Sequence, residues 1–394
     1  MPSLIDTLRQ SQRPLFHVGN GIRGCVPQFL ALMERLGTPF VTARNANDIC
    51  ASDHPCYIGR PGTFAQRGAN FAVQTCDLYI AIGTRLTLAQ TGYNSKDYAR
   101  NAAIVHVDID EAELAKGTLR DPTPIVCDAG KFIGLLAEQD IAPRWKGWLA
   151  KCKDWQARYP VVLPEYAKEE GYVNSYHFID VLSGLCDEKD TIVTDMGFAF
   201  QNTHQAWKVK KGQRLMTNCG LAPMGWGLPA AVGAAFATGG RVICITGDGG
   251  LMMNVQELAT VAHHKLNIKI FVLNNGGYLT IKQTQEMGFE GRLMGVNSDT
   301  GLSFPDLEQL ADANQIVYQN IEPNSAMGMP MEMQIDLWLS DNLPAMYEVK
   351  MNPNQQQAPR AVNRRNPDGT MNPTRLEDAY PFLPAEVIER EMKL

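Results

Sequence analysis

Apolar residues in this chain come in short runs rich in Val and Ile and closed by Gly, Asp or Asn, and between the runs the apolar positions spread to a spacing of three and four. Continuous apolar runs of this length read as strands buried on both faces, and the wider spacing reads as the helices that cover them. In the first part the runs are LFHV (15–18), PFVT (39–42), LYIAIG (78–83), IVHVDID (104–110) and PIVCD (124–128). After a helix starting near Ser175 and ending near Leu185, a second set follows: TIVTD (191–195), RLMTN (214–218), RVICITGD (241–248), KIFVLNN (269–275), QIVYQ (315–319) and AMYEVK (345–350). Strand and helix alternating twice over predict an α/β chain with two doubly wound, mostly parallel sheets. The expected domains are 1–160 and 175–350, joined by a linker over 161–174 whose prolines and mixed polarity suit a connection. Residues 351–394 form a tail rich in Asn, Pro and Gln that turns apolar again at AYPFLP, a candidate cover for an active site.

The first run ends in GNGIRG, where Gly19, Gly21 and Gly24 spell G-x-G-x-x-G. A dinucleotide site also needs a helix opening on the turn and an acidic residue about 20 positions on to hold a ribose hydroxyl. A helix over Cys25–Leu36 fits, but the next strand runs into Ala43, Arg44 and Asn45 where the acid belongs. A nicotinamide dehydrogenase is therefore the minor reading, and the glycines are expected to serve a tight strand-to-helix turn.

Composition narrows the partners. The chain has 394 residues, 45% of them apolar, and a net charge of -6, with its 36 Lys and Arg scattered rather than striped. This argues against a nucleic acid or an anionic membrane as partner. No apolar run reaches the roughly 18 residues of a membrane span, and the first residues lack the pattern of a secretion signal, so the cytoplasm is the expected compartment. Nine cysteines without a C-x-x-C pair point to neither a zinc knuckle nor a disulfide framework. His263 and His264 have no carboxylate or Cys partner at ligand spacing and read as helix-end residues.

The chemistry concentrates in the second half. RVICITGDGG ends a buried strand in a glycine-flanked aspartate, KIFVLNNGG ends another in paired asparagines, and NVQELATVAHH between them reads as a helix. A right-handed β-α-β crossover places the carboxyl ends of both strands on one sheet edge, so Asp248 and Asn275 can meet. One carboxylate, one amide oxygen and the carbonyl of Gly277 make a hard-oxygen set suited to Mg²⁺, which keeps further oxygens from a ligand's phosphates. Gly247, Gly249 and Gly250 leave room for a diphosphate to approach the backbone. Either motif alone is an ordinary way to turn a chain; the pair at this spacing is not.

The G-D-G and N-N pair resembles the diphosphate motif of the thiamine-diphosphate enzymes, and CGLAPMGWGLPAAVGAAF resembles the segment that supports the thiazolium ring there. By that resemblance Met224 is the apolar wedge that bends the cofactor, the carbonyl of Ala222 accepts from its aminopyrimidine, and Gly197 joins the cofactor-binding positions. The likeness is to the acetolactate-synthase-like branch: GLPAAVGAAF, GDGGLMMNVQELATV and NNGGY for the cofactor domain, and GRPGTFAQRGAN, AIGTRL and HVDIDEAEL for a central domain. Central domains of this kind carry FAD, an ADP moiety or nothing, and Leu86-Thr87-Leu88-Ala89-Gln90 departs from the flavin-binding pattern, which argues against FAD.

Other departures bear on the reaction. Asp195-Met196-Gly197 leads into Phe198-Ala199-Phe200 where acetolactate synthases carry Gln-His-Gln, and Thr284 stands where they have a tryptophan. The acceptor pocket is expected to differ, with Tyr278, Thr280, Lys282 and Gln283 as candidates for its lining; core or surface roles stay open for each. The family's activating glutamate belongs to an N-terminal pyrimidine-binding domain, and neither Glu111, Glu113 nor Glu257 has its context. The resemblance thus implies the large subunit of a split enzyme using thiamine diphosphate and Mg²⁺, completed by a small subunit with the pyrimidine-binding domain, in an α2β2 or larger assembly. Its expected reaction is acyl transfer from a 2-oxo acid or related donor to an aldehyde or ketone. Simple 2-oxo acid decarboxylation, or a cofactor-binding subunit without turnover, are the alternatives.

Overall fold

A computed structural model describes residues 2–323, 329–365 and 368–393 and divides into two units, one of residues 1–161 with 358–394 and one of residues 162–357. The first unit is built on a five-stranded parallel sheet of β1 (Pro14–Val18), β2 (Phe40–Thr42), β3 (Leu78–Ile82), β4 (Ala103–Asp108) and β5 (Thr123–Val126), in the order β2-β1-β3-β4-β5. Every residue of β1 and β3 is buried, as the unbroken apolar runs require of strands covered on both faces. The helix predicted over Cys25–Leu36 begins one residue later, at Val26, behind a 3₁₀ turn over Asn20–Cys25.

Gly19 and Gly21 of GNGIRG stand in the strand-to-helix turn, as expected, for a reason other than positive φ. Gly19, at φ -106°, is extended, and Gly21 is not among the glycines of positive φ. Instead, a β-carbon on Gly21 would lie 2.7 Å from the Cα of Gly83, and one on Gly19 would come 2.6 Å from the Cα of Thr84. The turns after β1 and β3 are pressed together at the point where strand order reverses, and Gly21 N–H donates to Gly83 O at 3.1 Å. Close backbone approach, not backbone freedom, selects glycine here.

The tail returns to this first unit. Arg67 and Asn70 donate to the carbonyls of Ala379 and Leu376 at 3.0 and 2.9 Å, and Arg100 pairs with Glu377 at 2.6 Å. On the final helix, Ala385–Met392, Glu391 is buried among Arg158, Lys151, Trp155 and Tyr159. Sequence periodicity did not mark that helix, and the tail is part of a domain rather than a segment of its own.

The second unit carries a six-stranded parallel sheet of β6 (Thr191–Thr194), β7 (Arg214–Met216), β8 (Val242–Gly247), β9 (Ile268–Asn274), β10 (Val317–Ile321) and β11 (Ala345–Lys350), in the order β10-β11-β9-β8-β6-β7. Asn174 caps the helix Ser175–Leu185 by accepting from Tyr176 N–H at 3.0 Å, where the linker was expected to end. Val242, Ile243 and Ile245 of β8 are fully buried, each contributing roughly 1.5–3 kcal/mol by leaving water. The helix expected over NVQELATVAHH forms over Glu257–His263, and a separate short helix, Asp248–Met253, precedes it. Asn254 lies between the two helices, its side chain turned back to donate to Gly225 O at 2.8 Å. No helix of the described residues is long and apolar enough to cross a membrane.

Candidate functional site

The chain leaves β6 for β7 on one side and returns to β8 on the other, so a crevice opens outside the carboxyl ends of β6 and β8. Each of these strands is followed at once by an aspartate. Asp248 is 3% exposed; its Oδ1 accepts from Gly249 N–H at 2.7 Å, and its Oδ2 from the N–H groups of Asn275 and Gly277 at 3.1 and 3.0 Å. The register of β8 on β9, ending in Gly247 beside Leu273, brings these turns level, so the two motifs meet through the backbone of one and the side chain of the other. Burial pushes the Asp248 carboxyl up to about 6, and the amides of Gly249, Gly277 and Asn275 pull against that rise.

The sequence marks Asp195 only as a departure from a family pattern, yet its carboxylate joins several elements of the crevice. It is 1% exposed and accepts from Met196 N–H at 2.7 Å, Gly225 N–H at 3.0 Å and the Thr246 hydroxyl at 3.0 Å. Burial raises its pKa, and the same hydrogen bonds oppose the rise. Asp195 therefore ties the end of β6 to β8 and to the loop carrying Met224. A β-carbon on Gly250 would stand 2.6 Å from its Oδ2, so glycine is required there by a carboxylate of the chain itself. The signal was present: TIVTD ends a buried run in Asp, just as RVICITGD does.

Met224 lies on a strained loop. Ala222 adopts φ +54°, a left-handed conformation costing roughly 1–2 kcal/mol in a non-glycine residue, and its N–H donates to Asn218 O at 2.9 Å. Next to Met224, a β-carbon on Gly225 would meet that of Met253 at 2.5 Å, so the loop is seated on the Asp248–Met253 helix. The Met224 methyl lies 3.3 Å from the place of a β-carbon on Gly249, and the Tyr278 ring lies 2.8 Å from it at Cδ1. Met224 and Tyr278 thus flank Gly249 from two elements, and Tyr278 in turn meets Phe304 edge-on at 5.9 Å.

The remaining candidates fall into two groups. Gly197, at φ +68°, stands with its β-carbon position 3.4 Å from Thr280 Oγ1, which brings Thr280 to the end of β6; the β-carbon position of Gly247 is open. Lys282 instead donates to Pro353 O at 3.0 Å, and Gln283, buried, donates to Gln355 O at 2.8 Å, so both tether the helix Leu279–Gly288 to the segment after β11. Thr284 is bonded to Thr280 O on the same helix. A cavity of about 320 Å³ bounded by Tyr166, Tyr172, His177 and Met331 shares none of these residues.

Two family models match the chain: the thiamine pyrophosphate enzyme C-terminal TPP binding domain over residues 195–333, and the thiamine pyrophosphate enzyme central domain over residues 2–136. The chain belongs to the thiamine pyrophosphate enzymes. The first match starts at Asp195 and runs through the whole crevice. Among curated relatives, the acetolactate synthase isozyme 1 large subunit of Escherichia coli (strain K12) is 31% identical over 72% of this chain and 50% of its own length. The isozyme 2 large subunit of the same organism is 31% identical over 87% of this chain and 61% of its own, and the acetolactate synthase large subunit of Parasynechococcus marenigrum (strain WH8102) is 32% identical over 78% and 49%. The chain spans about half the length of the curated relatives it matches. Membership of this family sets aside the nicotinamide reading, since GNGIRG falls in the match to the central domain and its Gly19 and Gly21 are accounted for by packing on Gly83 and Thr84.

Proposed function

We propose that the chain is the large subunit of a thiamine-diphosphate- and Mg²⁺-dependent enzyme that forms carbon–carbon bonds by transferring an acyl group from a 2-oxo acid or related donor to an aldehyde or ketone. The observation that carries this reading is Asp248, a carboxylate buried to 3% exposure whose hydrogen-bond partners are backbone amides of its own turn and of the Asn275–Gly277 turn. A divalent cation there would offset the cost of burying the charge. The donors fit Mg²⁺: one carboxylate from Asp248, the side-chain oxygen of Asn275 and the carbonyl of Gly277 are hard oxygens that leave positions for phosphate. Thiamine diphosphate, when bound, supplies a nucleophilic carbon and a sink for the electrons released as carbon dioxide leaves a 2-oxo acid.

The chain's own residues then bind and orient. Gly197, Gly247, Gly249 and Gly250 line the diphosphate end, with Gly247 the position open to close approach. Met224, 40% exposed and seated by Gly225 on the Asp248–Met253 helix, supports the ring, and we assign the carbonyl of the strained Ala222 to the aminopyrimidine as its acceptor. Tyr278 and Thr280 border the substrate side. The exposed apolar residues Leu221, Met224 and Met253 on and beside this loop support a second surface that excludes water, which we assign to a small subunit with a pyrimidine-binding domain and the activating glutamate.

Calorimetric titration with thiamine diphosphate tests the reading. Binding is expected with Mg²⁺, and is expected to be lost on chelation and in Asp248→Ala, which removes the anionic donor. Binding that survives both would refute it. Product analysis after adding the small subunit and a 2-oxo acid, with and without an aldehyde, separates acyl transfer from decarboxylation and from a subunit without turnover.

A further inference from the structure

The paired asparagines after β9 do different work. Asn275 sends its backbone N–H to Asp248, whereas Asn274 turns its side chain the other way, along the sheet. Its Oδ1 accepts from Gly276 N–H at 3.0 Å, closing a turn two residues long, and its Nδ2 donates to Glu348 Oε1 at 2.6 Å. Glu348 lies on β11, the neighbour of β9, and its second oxygen accepts from the Tyr318 hydroxyl of β10 at 2.5 Å. Three adjacent strands, β10, β11 and β9, thus contribute one side chain each to a line that ends at Gly276.

We propose that Glu348 and Asn274 are positioning residues that hold the Asn275–Gly277 turn in the shape that presents its amides to Asp248. The turn needs holding. It contains two consecutive glycines, and Gly276 sits exposed at φ +73°, so its backbone gives up much freedom on ordering. The Asn274 bond to Gly276 closes it, but an asparagine amide can do so only with its oxygen facing the turn. A carboxylate accepts and never donates, so Glu348 dictates that Nδ2 faces the sheet and Oδ1 faces Gly276. The Tyr318 hydroxyl holds the other carboxylate oxygen. Glu348 therefore acts on the cofactor side of the protein without touching it.

This predicts a specific rescue. Asn274→Asp keeps the acceptor for Gly276 N–H but sets two carboxylates against each other, and Glu348→Gln in the same chain restores a donor between them. Hydrogen–deuterium exchange over Asn274–Tyr278 in the full chain is the primary readout. Calorimetry with thiamine diphosphate and Mg²⁺, which rests on the function proposed above, is the second. Asn274→Ala, Glu348→Ala and Asn274→Asp are each expected to raise exchange in the turn and to weaken cofactor binding by about tenfold, the scale of one hydrogen bond to a charged group. The double variant N274D/E348Q is expected to return both to within about threefold of wild type, a recovery that damage to packing would not show. Turn exchange unchanged in Asn274→Ala, or a double variant no better than Asn274→Asp, overturns the proposal. A wild-type chain that fails to bind the cofactor refutes the proposed function instead, and the exchange results still decide the role of Glu348.

Discussion

Asp195 offers the sharpest test of how the crevice is held, because two substitutions at one position should behave differently. Asp195→Ala removes the acceptor shared by the N–H groups of Met196 and Gly225 and the hydroxyl of Thr246. Each donor left unpaired in a buried place costs about 1–3 kcal/mol. Thr246 has an alternative acceptor in the carbonyl of Gly247 at 3.2 Å, so the Met196 and Gly225 amides carry the loss and the expected cost is about 2–6 kcal/mol. Asp195→Asn keeps the shape. Its remaining oxygen, in the place of Oδ1, still accepts from Met196 and Gly225, its new NH₂ group faces a hydroxyl that can rotate to accept, and only the second, longer Gly225 contact to Oδ2 at 3.1 Å is lost. Burial disfavours the carboxylate's charge, and the amide escapes that penalty, so the expected cost is below about 1 kcal/mol. Urea denaturation of wild type and both variants, followed by circular dichroism, measures the difference. The reasoning fails if Asn is as damaging as Ala, or if Ala lies within about 1 kcal/mol of wild type.

Two further outcomes follow from single contacts. Gly249→Ala would drive a methyl into the Tyr278 ring, whose Cδ1 is 2.8 Å away, and should cost about 1–3 kcal/mol; adding Tyr278→Ala should recover most of it, and a single variant as stable as wild type in urea would refute the contact. His17, fully buried on β1, has its pKa driven down to about 3, first by burial and then by His106, against about 6.5 in the unfolded chain. The unfolded state then binds the extra proton, so this contribution is complete above pH 6.5 and is lost as pH falls toward 3, by up to about 4–5 kcal/mol. Urea midpoints measured across that range should fall less steeply with acid in His17→Gln than in wild type, and equal slopes would count against it.

The sequence by itself determined the strands and the place of the chemistry. Runs such as VICITG and IKIFVLN are apolar without alternation because β8 and β9 are covered on both faces, and that continuity is local and readable. Asp248 and Asn275 could be brought together on paper because a crossover between adjacent parallel strands has a fixed hand, which sets both turns on one edge before any coordinate is known. Tertiary structure alone decided the rest. Strand order, with β6 beside β8, makes Asp195 a keystone, although nothing within its own segment separates it from any aspartate ending a strand. Glycine at 21, 249 and 250 is explained by Gly83, Tyr278 and Asp195, residues distant in sequence whose approach depends on how whole turns are pressed together. Asn254 and Asn274 read as the start of a helix and the end of a strand until their side chains are seen to leave for Gly225 and Glu348. Residues 358–394 look like a loose tail because their partners, from Arg67 to Arg158, lie in the first unit some two hundred residues or more upstream. A periodic pattern records which face of an element is covered, while these contacts depend on which neighbour covers it, and that is settled only when all the layers pack together.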